Sequence, residues 1–281
     1  MKLAPTLLKN GLCLPYAYHV ELSDLISTTE ADSTSSISIY MSDMSLKYPL
    51  DNLHGLNKSQ TVAAVRWLAK MHGLCWGKSY EKEFSLAREG CYWYLETRLE
   101  EWSSMSHEWQ ALKKLAPALS ERLRDDSGLG WTLIHGDFKS TNLMFTCALQ
   151  GEDFDPFHEE ECIGIDFQYV GGGYGARDLA MLMVCAVDLK TDNLACGIDM
   201  ETEVLQLYYD ELLSVLREVG AVVVETQATY TMSHLRGQYE LALMDLVRFM
   251  AGWGMWGNCE YACRRVESLI RTLDRGNMKM G

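Results

Sequence analysis

Three side chains in the middle of the chain have the types and the spacing that phosphoryl transfer requires. Asp137 lies within His-Gly-Asp-Phe-Lys-Ser-Thr-Asn at residues 135–142, Asn142 ends that stretch, and Asp166 stands 24 residues further on. In transfer from Mg-ATP, one carboxylate orients the attacking hydroxyl and accepts its proton, while an amide and a second carboxylate hold the magnesium ion. The pattern predicts Asp137 as the catalytic base, and Asn142 and Asp166 as ligands of Mg²⁺.

Four neighbouring residues are expected to support these three. Lys139 follows Asp137 by two residues, so its ammonium group could reach the transferred phosphoryl group and offset its charge; a solvated lysine is an equal alternative. His135 is expected to bond to the backbone inside the loop, and Gly136 to let the chain turn sharply before the base. Asp178 precedes a strongly apolar stretch and is predicted to be the N-cap or a first-turn acid of a helix.

Short strands are predicted around the motif, and helices on either side of them. Apolar runs predict strands over Trp131–Ile134, Leu143–Thr146 and Cys162–Ile165. The glycine run Gly171–Gly175 is predicted to be a flexible loop, because a lone glycine run is weak evidence for a phosphate-binding turn. Helical segments are predicted over residues 91–102, 109–123, 179–187, 201–219, 230–249 and 261–273.

The first 45 residues are richer in strand than in helix. The predicted elements there are the end of a helix over 1–10, strands over 16–21 and 36–41, and a polar loop over 27–36. A helix is predicted over Asn57–His72, with Asn57 as N-cap and Gln60 completing a capping box. We therefore predict an α+β fold with two lobes, a reduced β-rich small lobe over 1–45 and a large helical lobe over 46–281.

The amino-acid composition limits which classes of partner and which cellular compartment we expect for this protein. The net charge is −14, from 25 Lys and Arg against 39 Asp and Glu, which argues against nucleic acid and against anionic membrane surfaces as partners. The nine cysteines include no CxxC pair, which argues against a structural zinc site and favours reduced thiols. Neither a signal peptide nor a membrane-spanning apolar run is evident, so we expect a cytoplasmic protein.

The motif segments resemble a known superfamily. Leu133–Phe145 together with Cys162–Leu182 is similar to the aminoglycoside phosphotransferase and choline-kinase-like superfamily, nearest to its ecdysteroid kinase-like group. The His-Gly-Asp form, Gln168 after Asp-Phe, and the lack of a following Ala-Pro-Glu favour this branch over protein kinases. The resemblance implies a protein-kinase-like fold and a kinase that uses ATP and Mg²⁺ to phosphorylate a hydroxyl group of a small molecule.

Two further sites are expected. By the same resemblance, Ile39–Met44 is the hinge between the lobes, where the backbone of Ser42 and Met44 would hydrogen-bond adenine. Independently, four C-terminal aromatic residues could line a substrate pocket, although core packing is their default role: Phe249, Trp253, Trp256 and Tyr261.

The small lobe departs from the superfamily's pattern. Only Gly11 precedes Gly55, and the early lysines, Lys2 and Lys9, do not lie in a strand of the Val-Ala-Ile-Lys kind. We expect a small lobe truncated at its N-terminus, without the glycine-rich loop and its phosphate-binding lysine. Two hypotheses stay open: an active small-molecule kinase, or a catalytically impaired or incomplete kinase-like protein that binds a ligand or partner through the large lobe.

Overall fold

The N-terminal part of the molecule is one helix followed by one β-hairpin. The computed structural model describes residues 3–25, 34–51, 54–77, 84–147, 159–189, 194–220 and 230–274. Helix α1 (Leu3–Lys9) ends before Gly11, whose φ of +76° suits glycine. Strands β1 (Ala17–Leu25) and β2 (Thr34–Met41) then pair antiparallel, with Val20 opposite Ile39. Most of the predicted loop over 27–36 lies outside the described residues.

Helix α2 (Lys58–Leu74) follows the hairpin and begins as predicted. Asn57 Oδ1 accepts a hydrogen bond from the Gln60 backbone N–H at 3.0 Å, and the Gln60 side chain accepts from the Asn57 N–H at 3.1 Å. This reciprocal pair satisfies two N–H groups that a helix start leaves unpaired. Ala64, Val65 and Leu68 lie on the buried side of the helix.

The helix predicted over 91–102 is largely wrong. That region contains a single 3₁₀ turn (Leu95–Thr97) and helix α3 (Leu99–Ser104), while Cys91 has a φ of +89° that no right-handed helix allows. The N–H groups of Cys91 and Tyr92 donate to the distant carbonyls of Tyr169 and Gly136 instead of to a helical turn of their own. Helix α4 (Gln110–Leu123) confirms the helix predicted over 109–123.

Two small antiparallel sheets carry the motif residues. Strand β3 (Trp131–Ile134) pairs with β6 (Gly171–Tyr174), and β4 (Leu143–Phe145) pairs with β5 (Cys162–Gly164). The prediction of a flexible glycine loop is therefore wrong, because the glycine run is a buried strand. A Cβ on Gly172 would come within 2.4 Å of the Arg88 carbonyl, so the glycines permit close packing of backbones.

Four helices complete the large helical part, and each confirms a predicted helix with different bounds: α5 (Ala176–Cys185), α6 (Leu194–Glu218), α7 (Met232–Trp253) and α8 (Cys259–Asp274). Their apolar faces pack with α2 into one large core, and a smaller cluster forms beside it around Tyr48, Met144 and Ile163. No helix in the described ranges is long and apolar enough to cross a membrane. The lobe boundary near residue 45 stays a prediction.

Candidate active site

The buried carboxylate of Asp178 supports the loop formed by residues 135–142, hereafter the catalytic loop. Asp178 accepts hydrogen bonds from the backbone N–H groups of His135 at 2.7 Å and Gly136 at 2.9 Å, and His72 Nε2 lies 3.1 Å from it. Asp178 lies in the first turn of α5, as predicted, but Gly175 is the N-cap. The N-cap alternative is therefore wrong, because the Asp178 side chain points to the catalytic loop instead of to its own helix.

The two carboxylate oxygens of Asp137 differ in their hydrogen bonds. Its Oδ2 accepts from Lys139 Nζ at 2.9 Å and from Asn142 Nδ2 at 3.0 Å. Its Oδ1 is buried and has no hydrogen-bond partner among the described residues. A buried carboxylate oxygen without a donor is costly, which marks Oδ1 as the atom that a bound hydroxyl group would satisfy.

Gly136 is the only kind of residue that fits before Asp137. Its φ is +83°, and a Cβ there would lie 2.3 Å from the Tyr169 carbonyl oxygen and 2.6 Å from the Cys91 nitrogen. Real Cβ atoms do not approach so closely, so any side chain would push the catalytic loop off its neighbours.

His135 is a structural member of the loop. Its Nε2 lies 2.9 Å from the Ile165 carbonyl oxygen, so Nε2–H donates, and Nδ1 lies 3.4 Å from the Asp137 backbone N–H. Burial lowers the pKa of His135, against the opposing effect of the carboxylates of Asp178, Asp137 and Asp166. The bond with the Asp137 N–H lies inside the loop, as predicted for His135, whereas the shorter bond to the Ile165 carbonyl ties the catalytic loop to the segment before Asp166.

Asp166 comes directly after the point where β4 and β5 meet the catalytic loop. The Ile165 N–H donates to the Asn142 carbonyl at 2.9 Å, so the side chains of Asn142 and Asp166 start from adjacent backbone. Asp166 has a φ of +62° and an exposed side chain. Such a left-handed conformation is uncommon outside glycine and clusters at functional sites.

The donor set of Asn142 and Asp166 suits Mg²⁺. Asn142 Nδ2 is assigned by its two acceptors, the Asp137 carbonyl at 2.8 Å and Asp137 Oδ2, so its Oδ1 is the atom left for a cation. Mg²⁺ takes oxygen ligands and commonly uses one or two protein ligands together with phosphate oxygens and water. The described residues hold no group of three or more His, Cys, Asp or Glu side chains that could bind a metal alone.

The predicted hinge keeps two backbone groups unengaged. The Tyr16 N–H donates to Ser42 Oγ at 2.8 Å, so the Ser42 carbonyl is not used in the ladder between these segments. The Met44 carbonyl accepts from the Tyr48 N–H at 2.8 Å. No hydrogen bond within the described ranges uses the Ser42 carbonyl or the Met44 N–H.

The four C-terminal aromatic residues differ in how far they are buried. Of the four aromatic residues singled out from the sequence, Phe249 and Tyr261 are buried, Trp253 is 64 % exposed, and Trp256 is partly buried with Nε1 3.0 Å from Cys185 Sγ. The default of core packing thus holds for Phe249 and Tyr261.

Sequence reasoning missed Tyr92, which lies closer to the catalytic loop. Its backbone N–H donates to the Gly136 carbonyl at 3.3 Å, and its ring packs edge-on against Phe249. Burial and then the negative charge of Asp137 raise the pKa of Tyr92. Nothing in the local sequence distinguishes this tyrosine from the others, because its nearness to Asp137 follows from contacts 44 residues apart.

Comparisons with known proteins identify the fold and the family of this chain. The fold is that of small-molecule kinases of the protein-kinase-like class: the chain is similar to Plasmodium vivax ethanolamine kinase (14 % identity, TM-score 0.50, covering 99 % of this chain and 72 % of that one). It is similar to a microcompartment-associated aminopropanol kinase to the same degree (14 %, TM-score 0.50, covering 99 % and 83 %). The chain belongs to the ecdysteroid kinase-like family, whose model matches residues 77–221, just over half of its length. No curated protein matches it.

Proposed function

We propose that this protein transfers a phosphoryl group from Mg-ATP to a hydroxyl group of a small molecule. The observation that carries the proposal is the state of Asp137. One carboxylate oxygen is oriented by Lys139 and Asn142, and the other is buried with no donor among the residues that the structure describes. A carboxylate fixed on one side and unsatisfied on the other is suited to receive the proton of a positioned hydroxyl.

Each residue has a distinct role in this mechanism. The acceptor hydroxyl would donate to Asp137 Oδ1, which orients it for in-line attack on the γ-phosphorus of ATP and takes its proton. As the new P–O bond forms, the bond from the γ-phosphorus to its bridging oxygen breaks and ADP leaves. Lys139 is 40 % exposed at its side chain and lies next to Asp137, so it can turn to the transferred group. Asn142 Oδ1 and the Asp166 carboxylate would hold Mg²⁺, which neutralises charge on the phosphates when bound.

The adenine site would lie at the hinge. The Ser42 carbonyl and the Met44 N–H offer one acceptor and one donor two residues apart, which matches the edge of an adenine ring. The apolar cluster beside them, with Tyr48, Met144 and Ile165, would form the floor under the base. Acceptor molecules would enter from the opposite side of Asp137, past Tyr92 and Trp253, which both pack against Phe249.

A kinase-like protein that binds but does not transfer is the alternative. It is favoured by the residues before the hinge, where Gly11 is the single glycine among the first 54 residues. Residues 1–54 therefore contain no glycine-rich loop whose backbone N–H groups could cover the phosphates. Loss of one such electrostatic donor costs roughly 10²–10³ in rate in other enzymes.

Titration calorimetry with Mg-ATP, followed by an assay of slow ATP hydrolysis, separates these functions. Asp166→Ala is expected to weaken binding of Mg-ATP, while Asp137→Asn is expected to bind normally and to lower hydrolysis by about 10²–10⁴. Binding by the wild-type protein without any hydrolysis would favour the alternative. No detectable binding at millimolar nucleotide would contradict both functions as far as ATP is concerned.

A further inference from the structure

The segment Glu89–Trp93, hereafter the brace, lies between the two loops that carry Asp137 and Asp166. Its three central N–H groups each donate to a different carbonyl: Gly90 to Gly172 at 2.8 Å, Cys91 to Tyr169 at 3.0 Å, and Tyr92 to Gly136 at 3.3 Å. One short segment therefore bonds to strand β6, to the turn after Asp166 and to the catalytic loop.

The brace can do this because its backbone is in an uncommon conformation. Cys91 has a φ of +89°, although it is not a glycine. Successive N–H groups can converge on one side of the chain when a residue adopts positive φ. A non-glycine residue stays in such a conformation only where the surrounding structure imposes it.

Two fully buried arginines donate hydrogen bonds to backbone carbonyls of the brace. Arg177 of α5 donates to the Gly90 carbonyl at 3.3 Å and to the Glu89 carboxylate at 2.8 Å. Arg248 of α7 donates to the Trp93 carbonyl and pairs with Asp245 at 2.8 Å. The carbonyls they hold lie immediately on either side of Cys91 and Tyr92.

These ion pairs are not arranged for stability alone. Burying a charge costs desolvation that its partner returns only when every polar atom is satisfied. Here five buried atoms have no hydrogen-bond partner among the described residues: Arg177 Nε, Glu89 Oε2, Arg248 Nη1, Asp245 Oδ2 and Trp93 Nε1. Apolar side chains of similar length would fill the same space at a lower desolvation cost, so the arginines serve a geometric purpose.

We infer that Arg177 and Arg248 are positioning residues that set the catalytic loop and the Asp166 loop relative to each other through the brace. Neither arginine touches the reacting atoms. Removing either arginine leaves one carbonyl of the brace unpaired and releases the constraint on the backbone conformation of Cys91. The three N–H groups of the brace then no longer hold the two loops in a fixed relative position. The catalytic consequence rests on the proposed function, whereas the structural consequence does not.

Hydrogen exchange tests the structural consequence. Arg177→Met is expected to speed exchange of backbone N–H groups in residues 135–142 and 166–172 by about tenfold or more, because their local opening becomes easier. The matched control is Arg265→Met, since Arg265 is a partly buried arginine outside the brace that pairs with Glu201 at 3.1 Å and Glu240 at 2.7 Å. Equal protection of both loops in Arg177→Met and wild type, or the same loss in the control, would overturn the inference.

Kinetics test the catalytic consequence. At temperatures where Arg177→Met and the wild type are both fully folded, Arg177→Met is expected to lower kcat for ATP hydrolysis by about tenfold or more. The KM for ATP is expected to rise by a smaller factor, because the hinge is untouched and only the Asp166 loop is affected. Arg177→Lys, which retains the charge, should recover part of kcat. If Arg177→Met does not fold, Arg177→Lys replaces it in the comparison with the wild type. A fall in kcat that only follows the folded fraction would overturn the inference. Absence of hydrolysis in the wild type would instead count against the proposed function, and hydrogen exchange would still decide the role of the brace.

Discussion

The catalytic loop and the β1–β2 hairpin are held in place by different means. The loop forms hydrogen bonds with Asp178 of α5, with the brace and, through His135, with the segment before Asp166. Within the described residues, β1 and β2 pair only with each other, and Ile37 and Tyr18 of this hairpin are 64 % and 68 % exposed. Among the described residues, the contacts that orient Asp137 therefore come from the large helical part, and the chain after the hairpin carries the backbone groups of the predicted hinge.

The largest expected effect comes from removing the support under the catalytic loop. Asp178→Ala would leave the buried N–H groups of His135 and Gly136 without an acceptor, which should reduce the free energy of unfolding by about 3–5 kcal/mol. Urea denaturation measures this loss. Asp210→Ala, at an exposed carboxylate of α6 that bonds to Gln206, is the control and should change stability by less than about 0.5 kcal/mol. Similar losses in both variants would show that Asp178 is not a support.

Gly136→Ala should have the next largest effect, because it combines an unfavourable φ with a steric clash against the Tyr169 carbonyl. We expect a loss of about 2–4 kcal/mol in thermal or urea unfolding. Gly220→Ala separates the two causes, since Gly220 has a φ of +63° and no atom of the described residues lies within 4 Å of its Cβ position. That variant should lose only about 1 kcal/mol, and an equal loss at both positions would exclude the clash as a cause.

A smaller effect is expected from acid. Burial lowers the pKa of His135 below its ordinary value of 6.5, so the unfolded chain takes up a proton before the folded one does as the pH falls. Stability should therefore decline below about pH 6.5, with His135 contributing at most about 1.4 kcal/mol per pH unit down to its folded pKa. Urea unfolding between pH 7 and pH 5 measures the slope. His135→Gln should have a shallower slope, and an unchanged slope would mean that another group is responsible.

The smallest effect is expected in the hairpin. Ile37→Ser removes an exposed apolar side chain, so the free energy of unfolding should change by less than about 0.5 kcal/mol. Leu133→Ala in buried strand β3 should cost about 2–5 kcal/mol in the same assay. A large loss in Ile37→Ser would contradict the comparison, because it would mean that another surface covers the hairpin.

Much of this architecture could be predicted from local patterns. The capping box of α2 depends on Asn57 and Gln60, three residues apart, and the strands around the motif depend on short apolar runs. The fold class and the family followed from the His-Gly-Asp motif and the Asp166 segment, and both are confirmed. The roles of Asp137, Lys139, Asn142 and Asp166, and of Ser42 and Met44 at the hinge, stay predictions.

The errors share one cause. The segment from Cys91 resembles a helix in composition, yet its backbone bonds to Tyr169 and Gly136. The glycine run resembles a flexible loop, yet it pairs with Trp131–Ile134 and is buried. In both cases partners far along the chain outweighed the local preference, which is worth at most about 1 kcal/mol per residue.

By itself, the sequence determined which residues could perform phosphoryl transfer, because carboxylate and amide side chains at fixed short spacings are a local property. Only the tertiary structure decided how Asp137 is oriented. Asp178, Arg177 and Arg248 act on the catalytic loop and the brace across separations of more than 40 residues. Those contacts form only when the core brings α5 and α7 under the loops, since packing and buried hydrogen bonds, not sequence distance, determine which groups meet.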